Sequence, residues 1–304
     1  MTTHTSNDPR PIGVFDSGIG GLTVVRQIMA LLPHESIIYF GDTARIPYGT
    51  KSEETVRRFA LEDSFFLLEK DVKLIVVACN TASAVAVDLL EQVLPVTVIG
   101  MIQPGAEAAI KYTRNKKIGV IGTAATIRSN AYQKEITALQ SDMQVSSQSC
   151  PLFVPLVEEG LMEDEATYLI ARRYLQPLIG NKVDALILGC THYPLLKSTF
   201  RRIIRDYSDR GTMRLIDSGV EAARKVNEIL QKENKLSSTD QHAKHLFYLS
   251  DLPYKFQEIG ERFLERSLPH IATVNFEKFL LEKGQAFWKK FEPMIKRPTK
   301  SRTG

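Results

Sequence analysis

Short apolar runs alternate with longer segments in which apolar residues recur every three or four positions, and this alternation holds for most of the chain. Residues 11–15 read as a strand that breaks into Asp16-Ser17-Gly18-Ile19-Gly20-Gly21, followed by an amphipathic helix over 22–32. A second strand over 36–40 leads into a long loop, 41–51, and a helix over 53–70. The run Leu74-Ile75-Val76-Val77-Ala78 is apolar throughout, as a strand buried on both faces should be, and Cys79-Asn80-Thr81 then opens another helix. Strands and helices that alternate in this way build parallel sheets covered by helices on both faces.

The pattern then begins again. A strand over 117–121 ends in Gly122-Thr123-Ala124-Ala125-Thr126, and one over 185–189 ends in Cys190-Thr191-His192. Gly13-Val14-Phe15 opens the first half and Gly119-Val120-Ile121 the second; Cys79 lies 66 residues after Gly13, and Cys190 lies 71 after Gly119. This echo predicts an α/β protein of two similar three-layer α/β/α domains with mostly parallel sheets. Residues 1–105 and 216–270 are assigned to the first domain, 106–215 to the second, and 271–304 to a C-terminal extension. Within the late segment, Ile216-Asp217-Ser218-Gly219 precedes a helix to about 230, and 233–243 is a polar loop. A strand over 246–250 and a helix over 254–265 follow, and periodicity alone does not say which sheet they join.

Composition narrows the class without naming a chemistry. The 304 residues are 43% hydrophobic and 24% charged, which is ordinary for a globular protein of one or two domains. The net charge of +4 is spread over short runs, Arg201-Arg202, Lys289-Lys290 and a tail from Lys296 to Arg302, which suits a solvated terminus better than a nucleic-acid surface. No apolar run reaches the roughly 18 residues of a membrane-spanning helix, and no secretory signal is visible. The expectation is therefore a cytoplasmic protein with no membrane partner, in which three free cysteines stay reduced.

Candidate chemistry clusters at the strand ends. In open parallel sheets ligands bind beyond the carboxyl ends of the strands, where Asp16-Ser17, Cys79-Asn80-Thr81, Thr123 and Cys190-Thr191-His192 all stand. Each such turn leads into a helix whose N–H groups hold carboxylates and should lower a thiol's pKa. The glycine run is not a dinucleotide loop, since Thr23 stands where that pattern needs glycine, and no lysine follows as a phosphate loop requires. Cys150 reads as a small core residue. His192 has no CxxC or HxxxH partner, so no metal is expected. One cysteine beside a histidine would suggest acyl transfer. Two cysteines, one from each half, suggest instead a base on one face of a stereocentre and an acid on the other. Cysteine can fill either role near neutral pH.

Five segments, read in order, resemble the signature blocks of bacterial glutamate racemases. They are Pro11 to Leu22, Tyr39 to Gly49, Val77 to Ser83, Gly119 to Thr123, and Gly189 to Leu195. The cysteine blocks alone resemble the wider aspartate/glutamate racemase superfamily, and the blocks with Asp16 and with Pro47-Tyr48-Gly49 narrow it to the glutamate branch. The resemblance spans about residues 10 to 265. It implies an active site in the cleft between the two domains and catalysis without pyridoxal phosphate, flavin or metal, with Cys79 serving the D-enantiomer and Cys190 the L-enantiomer. Asp16 would support Cys79, His192 would support Cys190, and Asp42 and Glu158 would be further assisting carboxylates. Binding of glutamate would fall to Asp16, Ser17, Tyr48, Gly49, Asn80, Thr81, Thr123, Thr191 and His192. The same resemblance implies a homodimer and D-glutamate for the bacterial cell wall, with an allosteric cell-wall precursor and a topoisomerase as further partners that the sequence does not establish. An α-proton is weakly acidic, so such a site must exclude water, and domain closure is expected. The alternatives are a racemase for aspartate or another small acid, and a non-catalytic amino-acid-binding regulator.

Overall fold

The computed structural model describes residues 8–207, 213–238, 240, 242–268 and 271–284. The first half comprises β1 (Ile12–Asp16), α1 (Leu22–Leu31), β2 (Ile37–Gly41), α2 (Glu53–Leu68), β3 (Leu74–Val77), α3 (Asn80–Val93) and β4 (Thr97–Ile99). The second comprises α4 (Ile102–Tyr112), β5 (Lys117–Gly122), α5 (Ala124–Arg128), α6 (Ala131–Leu139), β6 (Gln144–Ser149), α7 (Phe153–Glu158), α8 (Glu165–Gly180), β7 (Ala185–Gly189), α9 (Lys197–Tyr207) and β8 (Arg214–Asp217). The chain then returns through α10 (Ser218–Lys232), β9 (His245–Leu249), α11 (Phe256–Leu264) and β10 (Ile271–Thr273).

These strands form two parallel sheets, ordered β10-β9-β2-β1-β3-β4 and β6-β5-β7-β8. The order β2-β1-β3-β4 recurs as β6-β5-β7-β8, so the cysteine of each half follows the same strand of its sheet. Burial on both faces explains why the central strands lack polar alternation. Val14 and Val76 pack with Leu22, Val25 and Ile28 of α1, while Phe15, Ile75 and Val77 pack with Val56 and Phe59 of α2 and Ala82 and Ala86 of α3. In the second sheet Val120 and Ile187 meet Ala106 and Ala109 of α4, and Ile121, Leu186 and Leu188 share a core with Phe153, Leu175 and Phe200. Truncating one such side chain, Leu186→Ala for instance, should cost about 2–5 kcal/mol. Polar caps set where several helices begin: Ser52 accepts from the Thr55 N–H at 3.3 Å, and Asp217 from the Gly219 N–H at 3.0 Å.

Strand pairing shows which sheet each segment joins. Helix α4 packs on β7, β8 and α6, so the change of sheet comes at about Gly100-Met101 and not at 105. Strand β8 pairs with β7, Leu188 opposite Asp217, so the second sheet runs to 217 and not 215. Strand β9 pairs with β2, Tyr39 opposite Phe247, which assigns the late segment to the first sheet. The expected extension also begins inside that sheet, because β10 pairs with β9 and the Phe276 ring lies 4.8 Å from that of Phe40. Its apolar face, Phe276 and Phe279, is what draws it into the core. Residues 285–304, with Lys289-Lys290 and the basic tail, lie outside the described residues. Among the described residues, no helix is long and apolar enough to cross a membrane.

Candidate active site

Strand β1 ends at Asp16, and the chain turns at once. The Asp16 Oδ2 accepts from the Gly18 N–H at 3.0 Å, and the Tyr39 hydroxyl donates to the Gly18 carbonyl at 2.5 Å. The glycines that follow serve a close approach. A Cβ on Gly20 would lie 2.1 Å from Thr191 Oγ1 and 2.6 Å from His192 Nδ1, and the Thr23 hydroxyl donates to the Thr191 carbonyl at 2.9 Å. The turn after β1 in one half therefore rests directly on the turn that follows Cys190 in the other.

Cys79 ends the segment after β3 and occupies the first capping position of α3, only 6% exposed. Its thiol donates to Ser17 Oγ at 3.6 Å. The expectation that a helix N-terminus lowers this thiol does not hold. Burial, then the negative charge of Asp16, push it up to about 12, against the opposing pull of the Ala82 N–H and Ser17. Burial also raises the carboxyl of Asp16, with His192 and the N–H groups of Gly18 and Gly21 pulling it back. Asp16 Oδ1 is buried without a hydrogen-bond partner.

Cys190 follows β7 and is equally enclosed, 6% exposed, but its neighbours differ. Its Sγ lies 3.9 Å from His192 Nδ1, and His192 Nε2 lies 2.9 Å from Glu158 Oε1. Burial alone would lower His192, yet its hydrogen bonds with Cys190 and Glu158 outweigh that and raise it to about 10. The imidazolium is thereby favoured. The Phe263 ring of α11 stands edge-on to it at 5.1 Å.

The other polar residues at the strand ends link up across the halves. Thr81 Oγ1 lies 3.0 Å from Thr123 Oγ1, which caps α5, and a Cβ on Gly49 would lie 3.2 Å from Thr123 Cβ. Asn80 Oδ1 accepts from the Tyr132 hydroxyl at 2.7 Å, while Asn80 Nδ2 is buried and unpartnered. Ser17, next to Asp16, touches Cys79, His192 joins Cys190 to Glu158, and Thr191 meets Gly20 between the halves, while Thr81, Thr123 and Gly49 cluster beyond Asn80, the residue after Cys79. Asp42 and Tyr48 are engaged elsewhere. Asp42 Oδ2 takes Arg45 Nε at 2.6 Å and the Tyr48 hydroxyl, and Oδ1 takes the Ser250 hydroxyl at 3.0 Å. The Tyr48 hydroxyl oxygen also lies 2.9 Å from Asp63 Oδ2, and Arg45 reaches Asp63 at 2.9 Å and Glu62. This buried cluster fixes the loop that carries Gly49, with the Arg45 guanidinium 3.9 Å over the Phe59 ring.

Several contributors escaped the sequence reading. Glu62 and Asp63 could have been noticed as charges on an otherwise apolar face of α2, and Arg45 stood inside a motif block. Tyr39 opened the same block, and Thr23 and Tyr132 carried no local signal. Cys150 is fully buried, its thiol pushed up by burial, with Sγ 3.6 Å from the Gln148 carbonyl. Among the described residues, no three His, Cys, Asp or Glu side chains gather as a metal site.

Residues 17–226 match the family model described as Asp/Glu/hydantoin racemase. A glutamate racemase from Geobacter metallireducens is 49% identical over 268 residues, 88% of this chain and 97% of that one. The chain belongs to the glutamate racemase family. Members are isomerases that racemise an amino acid. The crystal structure of glutamate racemase from Francisella tularensis in complex with D-glutamate matches with a TM-score of 0.82 at 41% identity, over 89% of this chain and 99% of that one. Escherichia coli glutamate racemase, in complex with L-glutamate and the activator UDP-MurNAc-ala, matches with a TM-score of 0.70 at 28% identity, over 88% of this chain and 98% of that one.

Proposed function

We propose that the protein interconverts L- and D-glutamate without a cofactor, by moving the α-proton between Cys79 and Cys190. One observation carries this reading: each half contributes a thiol directly after the same strand of its sheet, and the turns of the two halves meet where Gly20 packs on Thr191. The glutamate specificity draws support from relatives such as the Geobacter enzyme at 49% identity.

Starting from L-glutamate, the Cys190 thiolate removes the α-proton, the C–H electron pair stays on carbon, and the Cys79 thiol gives its proton to the opposite face. The reverse reaction exchanges the roles. His192, held cationic beside Glu158, stabilises the Cys190 thiolate, while burial and Asp16 keep Cys79 in the thiol form that L-glutamate requires. The unpartnered Asp16 Oδ1 suits the substrate ammonium and the unpartnered Asn80 Nδ2 a carboxylate, each buried atom gaining the partner it lacks. Ser17, Thr81, Thr123 and Thr191 add hydroxyl donors. Both thiols are 6% exposed, so substrate entry requires the turns to part, and reclosure excludes the water that would level the carbanion-like state. D-Glutamate made this way would serve the cell wall, and three free cysteines suit a reducing cytoplasm. The test is to follow optical rotation of L-glutamate and L-aspartate separately, with no added cofactor. Glutamate should lose its rotation while aspartate keeps it; the opposite pattern overturns the assignment.

A further inference from the structure

Asn80 is the residue next to Cys79, and its amide has two ends of equal size and opposite chemistry. Only the Nδ2 end can donate to a carboxylate; the Oδ1 end would repel one. Something must therefore decide which end faces the ligand. Nothing in the first half does so by a hydrogen bond to the free end, since Asn80 Nδ2 is buried and unpartnered. The other end is held from the second half. Tyr132 of α6, 2% exposed, donates its hydroxyl to Asn80 Oδ1 at 2.7 Å, with the Met101 carbonyl a poorer acceptor at 3.4 Å.

The ring that carries this hydroxyl is itself seated by two glycines. A Cβ on Gly105 of α4 would lie 3.1 Å from Tyr132 Cε1, and a Cβ on Gly189 would lie 3.1 Å from Cε2. Gly189 immediately precedes Cys190. One phenol thus spans from the residue before one thiol to the residue after the other, and it does so across the two halves.

We infer that Tyr132 is a positioning residue that turns the Asn80 amide so that Nδ2 faces the substrate carboxylate. The inference rests on the glutamate reading above. Tyr132 does not touch the substrate, and its effect passes entirely through Asn80. Because the bond crosses between halves, the amide is set only when α6 and the start of α3 are in register, so the binding donor is assembled together with the two thiols.

Tyr132→Phe keeps the ring in its slot and removes the hydroxyl, which donates to Asn80 and also neighbours Ser218. With the wild type racemising glutamate, this variant should raise KM for both enantiomers about tenfold or more while kcat stays within about threefold, as loss of a binding contact present throughout the reaction requires. In an Asn80→Ala background the same substitution should add less than about twofold, because the amide it acts on is gone. Thermal unfolding of Tyr132→Phe within a few degrees of wild type separates this from general loss of packing. Wild-type KM in Tyr132→Phe overturns the inference, and so does a KM effect of full size in the Asn80→Ala background. A wild-type chain that neither binds nor racemises glutamate fails the functional reading itself, and the inference falls with it.

Discussion

The two thiols occupy equivalent places in two sheets of matching order and equal burial, yet their surroundings are chemically opposite. Cys79 has a serine hydroxyl as its nearest partner and feels the charge of the Asp16 carboxyl; Cys190 neighbours His192, whose other ring nitrogen pairs with Glu158. A negative neighbour favours the thiol and a positive one the thiolate. In the two-thiol reading proposed above, duplicated topology would supply the geometry for attack on two faces, while unlike neighbours distinguish the two positions. Symmetry belongs to the backbone and asymmetry to the side chains.

The comparison breaks most visibly if either thiol proves dispensable. Cys79→Ser and Cys190→Ser should each lower racemisation by at least about a hundredfold, within the range general acid–base groups contribute, while elimination of a β-leaving group persists from one enantiomer only, a different one for each variant. Because the enantiomers have equal free energies, kcat/KM must match in the two directions for every variant, so the elimination assay is where the asymmetry can be read. Glu158→Gln removes the anion that holds His192 and should lower kcat by about ten- to a hundredfold. Ser17→Ala, on the other side, should lower kcat by only about three- to tenfold, since one hydroxyl hydrogen bond to the thiolate is lost. The contact between halves is sharpened by Gly20→Ala, whose methyl must displace Thr191 and should cost about 1–3 kcal/mol in denaturant unfolding. Stability should also depend on pH. The folded His192 titrates at about 10, above its ordinary 6.5, so its contribution is complete below pH 6.5 and is lost as pH rises through 10. Tm should decline across that window, and His192→Asn should flatten the decline.

Much of the fold was legible because the central strands are apolar on both faces and end in small polar turns. Strand β6, Gln144–Ser149, was not, since as a half-exposed edge strand it reads Gln-Val-Ser-Ser-Gln-Ser with no apolar run. Strand β10 and the helical residues 276–284 were hidden by a different cause: their few apolar residues matter only against Phe40 and Phe66. At the site, residues adjoining a strand end were readable, because topology alone delivers them there. Residues that act from a helix face were not. Tyr132 reaches Asn80 across 52 positions of sequence, and no local pattern announces a bond of that span. The thiol of Cys79 shows the reverse error. Its helix terminus was visible and its burial against Asp16 was not, so the direction of its pKa came out inverted.

The account stands on two bases facing one α-carbon, and isotope exchange during a single passage tests that most directly. L-Glutamate is incubated with the wild-type protein in deuterated water, and both enantiomers are recovered at about one-tenth conversion. Two thiols predict D-glutamate carrying deuterium at the α-position while the remaining L-glutamate stays protiated, since the proton leaves on one sulfur and deuterium arrives from the other. Deuterium appearing in recovered L-glutamate as fast as in D-glutamate would mean that one base serves both faces, and would contradict the account.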